Sequence, residues 1–400
     1  MSAALELRFP LNPGPGPARF GAAPEFDLLL ACCAQSLNDG QDDRVQQILA
    51  QGSFDWGRFG ALLDHHRVVT QVYQSLSRFP YWVPTEELER LRAVCNENAR
   101  KALWFTGELV RILGYLETQG IAALAYKGPA LAQRVYGNVT ARQFCDLDIL
   151  LSPEDVPRAK LALAEMGYKP KSELTPLAER AYIDSGYEHS FDGAHGPNLL
   201  ELQWRILPRF YAVDFETKGL FARSEQTVLV GRRVATPCAD DLMLALCVHA
   251  AKHVWVQLSW LCDIAQLAKS PLDWEAIWRS AGQLGIRRII AVNFLLAHEL
   301  FGSPLPIDVR RWIEIDPAVR LLAEEILPIV SSVSHYDTES IAYFRLMTRL
   351  RERWQDRVRF LSRLVFTPSV GEWQSIRIPE PLFPLYHVVR LGRLAKRFVT

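Results

Sequence analysis

Residues 126–151, YKGPALAQRVYGNVTARQFCDLDILL, decide how this chain is read. The stretch runs from an apolar segment through a Lys-Gly-Pro turn and a short helical pattern into CDLDILL, a strand with Asp146 and Asp148 set in apolar flanks. Residues i and i+2 of a strand point to one face, so both carboxylates aim at one spot while Leu147 and Ile149 face the other way. Two parallel carboxylates among apolar neighbours repel each other and lose hydration, an arrangement that needs a cation between them. A hard divalent ion such as Mg²⁺, or Mn²⁺ in its place, meets that need and leaves positions open for phosphate oxygens. Pairing with Arg142 or a nearby lysine at the strand end would satisfy the same charges with no metal.

Outward from this stretch the pattern is that of a small α/β unit. Residues 121–128, IAALAYKG, read as a strand closed by Gly128 and Pro129, and a helix follows over 130–136. Ser152-Pro153-Glu154-Asp155 resembles a capping box opening a helix that ends near Gly167. YEHSFDG and NLLELQWRI, separated by AHGP, read as an antiparallel hairpin. In the second arm Leu200, Leu202 and Trp204 share one face and Glu201 takes the other, where it supplies a third carboxylate of the kind a pair of metal ions needs.

On either side the apolar spacing is helical. Four parts are expected: a flexible segment 1–25 rich in Pro, Gly and Ala, a helical domain 26–120, an α/β core 121–236 and a helical domain 237–400. The longest early helix should start with Thr85 as N-cap and stop with Gly120 at C′. The later helices follow one another with short connectors, as in a bundle.

Composition narrows the classes of function. Lys plus Arg equals Asp plus Glu at 45 each, which gives no net field for a polyanion and argues against nucleic acid as the bulk partner. Seven scattered cysteines with no CxxC pair suit reduced thiols in a cytoplasmic protein. No apolar run approaches the ~18 residues that a transmembrane helix needs. No Walker A loop, dinucleotide fingerprint or GxSxG is present. HAAKH places His249 and His253 one helical turn apart, but without the glutamate of HExxH or an evident third ligand. Between Ile341 and Leu364 seven arginines face two acids in a basic amphipathic helix. Such a helix could touch an anionic membrane surface; packing on the bundle through Phe360 and Leu364, with the arginine stems spread over it, is the commoner outcome.

The order of strand, glycine turn, helix, DxD strand and later lone acid resembles the polymerase-β-type nucleotidyltransferases. LAYKGPALAQRVYG, ARQFCDLDILL, ELQWRI, HAAKHVWVQLSWLCDIAQL and the C-terminal FTPSVGEWQSIRIPEPLFPLYHVVR together resemble the bacterial uncharacterised nucleotidyltransferase family (NTP_transf_5) over about 26–390. The resemblance implies an α+β fold: a small mixed-sheet core flanked by N-terminal and C-terminal helical domains. It implies transfer of a nucleoside monophosphate from an NTP, ATP being the expected donor, to a small-molecule, sugar or peptide acceptor. It places Asp146, Asp148 and Glu201 at two metal ions and puts His249, Lys252, His253, Trp255 and Asp263 on the substrate side. In the wider superfamily the turn is Gly-Ser or Gly-Gly, whereas here Lys127 and Pro129 flank Gly128. Lys127 and Arg142 then become the candidates for phosphate contact, with Gly128 allowing close backbone approach to the nucleotide, since Pro129 has no N–H to offer. Two rivals stay open: a protein that keeps the fold and binds nucleotide or a partner without turnover, and a toxin-like transferase acting on tRNA.

Overall fold

The structure is a computed structural model that describes residues 23–399, apart from 38–41, 51–53, 173, 194–198, 334–335, 369–371, 374–375, 377, 380–381 and 384. The first 22 residues of the expected flexible segment and the whole AHGP connection therefore lie outside the described residues.

Among the described residues five helices come first: α1 (Pro24–Leu37), α2 (Asp42–Leu49), α3 (Trp56–His66), α4 (Val69–Leu76) and the long α5 (Thr85–Thr118). Pro84 rather than Thr85 is the N-cap of α5 and makes no side-chain cap, so Glu86 and Glu87 are the first-turn acids that favour its start. Gly120, at φ +65°, ends it as expected, with the Gly120 and Ile121 amides returning to Glu117 and Leu116.

The sheet follows, as β1 (Ala123–Ala125), α6 (Gly128–Tyr136), β2 (Asp146–Leu151), α7 (Val156–Glu165), β3 (Lys169–Pro170), α8 (Pro176–Ser185), β4 (Glu188–Asp192) and β5 (Leu199–Gln203). Spatial order is β1-β2-β5-β4-β3. β1 runs antiparallel to β2, β2 parallel to β5, and β5 antiparallel to β4, so the sheet is mixed. Leu147, Ile149 and Leu151 of β2 are fully buried against α5 and α7, which leaves Asp146 and Asp148 on the opposite face. The capping box expected at Ser152 does not form. Asp155 instead bonds Arg158 at 2.9 Å, and a 3₁₀ turn at Pro153–Asp155 precedes α7.

Beyond the sheet lie α9 (Thr217–Ala222), a hairpin of β6 (Glu225–Leu229) and β7 (Arg232–Thr236), and then α10 (Ala239–Lys252), α11 (Leu258–Leu267), α12 (Trp274–Leu284) and α13 (Arg287–Phe301). The chain closes with α14 (Ile307–Ile315), α15 (Ala318–Val330), α16 (Ile341–Arg349), α17 (Trp354–Phe366) and α18 (Leu385–Val399). The basic amphipathic helix expected as one piece is thus two. Arg288 explains the break: its Nη1 donates to the carbonyls of Arg349 and Arg351, while the buried Arg351 side chain reaches the Tyr211 carbonyl at 2.6 Å. Phe360 and Leu364 of α17 are buried as expected, whereas Trp354 is 69% exposed. Among the described residues no helix is long and apolar enough to cross a membrane.

Among the described residues the buried apolar side chains form two clusters. One joins α1, α3 and α4 to α10, α11, α13 and α15; the other lies between the sheet and α5, α7 and α8. The cleft between these bodies carries the site.

Candidate active site

Strand register sets the floor of the site. Asp148 stands opposite Glu201 in the parallel β2–β5 pair, and Ser190 of β4 stands opposite Glu201 from the other side. Two residues along, Glu188 stands opposite Gln203. Asp146, Asp148, Glu188, Glu201 and Gln203 therefore share one face, and all five line a cavity of about 480 Å³. That volume lies in the range of small-molecule sites.

The floor is wired by two cation or amide donors. Lys127 Nζ bonds Asp148 Oδ1 at 2.8 Å. Gln203 Nε2 reaches Asp148 Oδ1 at 3.1 Å and Glu201 Oε2 at 2.9 Å, and its own Oε1 accepts from the Tyr126 hydroxyl. Burial opposes a charge on Lys127, but Asp148 foremost, with Tyr126 and Asp146, holds its ammonium well above the ordinary range. Burial pushes Asp146 up to about 6, assisted by the Asp148 charge and moderated by Lys127. Burial likewise pushes Glu201 up to about 7, with Glu188 and Asp148 adding to it and Lys127 and Lys252 opposing. The floor thus carries more negative charge than its lysines offset.

Gly128 shapes the turn in front of β2. Its φ is +55°, and a Cβ there would come to 3.2 Å from the Asp146 carbonyl, so glycine is needed for both conformation and room. The close approach is to the chain's own backbone. Arg142 is buried and does not pair with the aspartates of β2. Its Nε bonds Asp263 Oδ2 at 2.8 Å, and Asp263 Oδ1 accepts from the Tyr136 hydroxyl, also at 2.8 Å. Burial alone would weaken the Arg142 charge, but Asp263 more than restores it.

The wall facing the floor comes from the end of α10. Here the chain passes through two successive left-handed residues, Val254 at φ 53° and Trp255 at φ 51°, each costing on the order of 1–3 kcal/mol. The strain is held by the Trp255 Nε1 bond to Asn293 Oδ1 at 2.7 Å and by Asn293 Nδ2 on the carbonyls of Cys247 and Ile289. Of the five substrate-side candidates, His249, Lys252 and His253 line the cavity. Trp255 and Asp263, both 0% exposed, lie behind it and support it. Lys252 packs its ammonium 4.8 Å from the Tyr187 ring centre and bonds the Tyr187 hydroxyl at 3.2 Å, which in turn bonds Glu188.

Sequence reasoning missed Glu188, Gln203, Tyr187 and Arg67, all of which line the cavity. The alternation in YEHSFDG could have placed Glu188 on the polar face of its strand. Nothing local announces Arg67, which comes from the end of α3 and whose Nη1 reaches Cys145 Sγ at 3.3 Å.

The donor set of Asp146, Asp148 and Glu201 is all oxygen and suits Mg²⁺ or Mn²⁺. Among the described residues no three His, Cys, Asp or Glu side chains already stand close enough to hold a metal ion. The bonds just described give the reason: Lys127 ties down Asp148, and the Gln203 amide spaces Asp148 from Glu201.

The raised Glu201 carboxyl yields a prediction for metal-free protein. An acid whose folded value lies above its unfolded value is no burden while protonated in both states, and costs stability as pH rises through the folded value. In EDTA, Glu201→Gln should therefore be more stable than wild type by about 3 kcal/mol at pH 8.5, and the gap should close by about pH 4.5. Chemical denaturation of both proteins across that range checks it; a pH-independent gap would show that Glu201 is not strained by its neighbours.

The sequence profile of a family described as uncharacterised nucleotidyltransferase matches residues 52–302. A search of curated proteins finds no match. Two solved structures are similar at 15% identity: ANT(2″)-Ia in complex with adenylyl-2″-tobramycin, and a solution structure of the antibiotic-resistance factor ANT(2″)-Ia. They cover 48% and 49% of this chain and 95% and 92% of their own, each with a TM-score of 0.27, too low to carry fold or substrate across. The family match spans more than half of the chain and includes the glycine turn, both aspartates of β2, Glu201 and the α10–α11 wall, so the chain belongs to the uncharacterised nucleotidyltransferase family.

Proposed function

We propose that the protein transfers a nucleoside monophosphate from an NTP, with ATP the expected donor, to a hydroxyl or phosphate of a small-molecule, sugar or peptide acceptor. The observation that carries this reading is the register of β2 and β5, which puts Asp146, Asp148 and Glu201 on one face at the floor of a cavity edged with cations. Asp146, Asp148 and Glu201 would hold two Mg²⁺ or Mn²⁺ ions, which supply charge compensation to the triphosphate and acidify the acceptor hydroxyl. The chain's own part is positioning and charge. Lys127 would exchange Asp148 for phosphate oxygens and so free that carboxylate. Arg142, oriented by Asp263, and Arg67 from α3 would meet the remaining phosphate charge, in place of the N–H that Pro129 lacks. The side of the floor toward Glu188, Tyr187 and Lys252 is left for the acceptor.

Binding without turnover is the second reading, and the altered turn Lys127-Gly128-Pro129 is what favours it, since Pro129 has no N–H to offer a phosphate. One assay separates the two. Wild type, given α-labelled ATP, GTP, CTP or UTP, Mg²⁺ and a cell extract as acceptor source, should move label to an acceptor only with metal. Bound nucleotide with no labelled product would favour the binding protein, and absence of nucleotide binding with either metal would defeat both.

A further inference from the structure

The wall opposite the acidic floor has a different chemistry. His249 and His253 lie with ring centroids 4.7 Å apart, and the Trp260 indole meets each of them at 5.3 Å. All three line the cavity. Burial first, then the neighbouring lysines, drives His249 well below the ordinary imidazole range and His253 down to about 3, so both rings are neutral near pH 7. None of the three side chains has a hydrogen-bond partner within the protein among the described residues, and none of their ring nitrogens is sealed away from the cavity. With the neighbouring Lys252 ammonium engaged by Tyr187, a neutral patch of one large π-face and two imidazoles offering both donor and acceptor nitrogens is a poor place for phosphate. The carbonyl end of α10, which carries His249 and His253, also disfavours an anion. A metal ion is no better served, because no third ligand stands within reach among the described residues.

We propose that His249, His253 and Trp260 form the nucleobase subsite of the cavity, the base lying against the Trp260 indole with the imidazole nitrogens at its edge. This rests on the nucleotide reading above and adds which wall holds which end of the nucleotide: phosphates toward Lys127 and the floor, base toward the α10–α11 wall. Stacking of a base on an aromatic face tolerates any base, and the two neutral imidazoles would supply whatever preference exists.

The test compares two probes that share phosphates and differ in the base. Binding of Mg²⁺–ATP and Mg²⁺–tripolyphosphate to the full chain would be measured by calorimetry for wild type, Trp260→Ala and Trp260→Phe. Trp260→Ala should weaken ATP about ten- to hundredfold while leaving tripolyphosphate within about twofold, and Trp260→Phe should stay near wild type for both. Equal weakening of both probes by Trp260→Ala, or no weakening of ATP, overturns the subsite. If Trp260→Ala does not fold, His253→Leu carries the same comparison. If tripolyphosphate and ATP both fail to bind wild type, the nucleotide reading itself falls and the subsite with it. If wild type binds tripolyphosphate as tightly as ATP, the phosphate site stands and the subsite alone is refuted.

Discussion

Asp148→Asn should lose nucleotidyl transfer by ~10³-fold, and it should also lose stability. Two effects combine because Asp148 serves two partners. The carboxylate is 2% exposed, bonded to Lys127 and to Gln203, and placed opposite Glu201. Taking away its charge leaves the Lys127 ammonium with no bonded carboxylate, and breaking a buried pair on one side costs about 3–5 kcal/mol. Lys127→Met combined with Asp148→Asn should recover most of that stability and none of the activity. Transfer of α-label and urea denaturation read the two quantities separately. Recovery of activity in the double variant, or full activity in Asp148→Asn, would remove Asp148 from the proposed chemistry.

Asp263→Ala should destabilise the protein by about 3–5 kcal/mol for a related reason at a different place. Asp263 is 0% exposed and accepts from Arg142 Nε and from the Tyr136 hydroxyl, tying α6, α11 and the approach to β2 together. Without it the Arg142 guanidinium stays charged, buried and unmatched, since an arginine does not shed its proton. Replacing both partners by apolar residues, Arg142→Met with Asp263→Leu, removes the unmatched charge and should be more stable than Asp263→Ala. The double variant should still bind nucleotide weakly if Arg142 serves the phosphates. Thermal melts rank the three proteins, and equal losses in the single and double variants would mean that Asp263 contributes packing rather than charge.

Much of the frame of the candidate site is legible in the order of residues. The strand–turn–helix–strand succession around Gly128, the phase of Asp146 and Asp148, and the isolated position of Glu201 follow from periods of two and from turn chemistry, both local properties. The bundle helices α10 to α13 are equally legible through their apolar spacing. What resists reading is set by partners far along the chain. The break between α16 and α17 depends on Arg288, more than sixty residues earlier, and Arg67 reaches the cavity from the end of α3. Gln203 spaces Asp148 from Glu201 only because β5 pairs with β2 in one register, which no spacing within either strand specifies. The β6–β7 hairpin escaped notice because its turn uses Val230, at φ 48°, before Gly231, where Asn or Asp would have been the recognisable signal.

The first apolar cluster has a consequence for how the molecule is made. Phe26, Leu29, Phe59 and Val72 are buried with Leu246, Leu261, Phe294 and Leu322, so α1, α3 and α4 complete their packing only against helices synthesised after the sheet. Much of the other cluster, from Ala102 to Val234, is nearly contiguous in sequence and can close while synthesis is still under way. Nascent chains halted at residue 240 should protect the sheet from protease yet leave residues 24–76 open to cleavage, and protection of those helices at that length would contradict this order. Until the bundle emerges, the amino-terminal helices are an unburied apolar surface in search of a partner, the state in which chaperones find their clients.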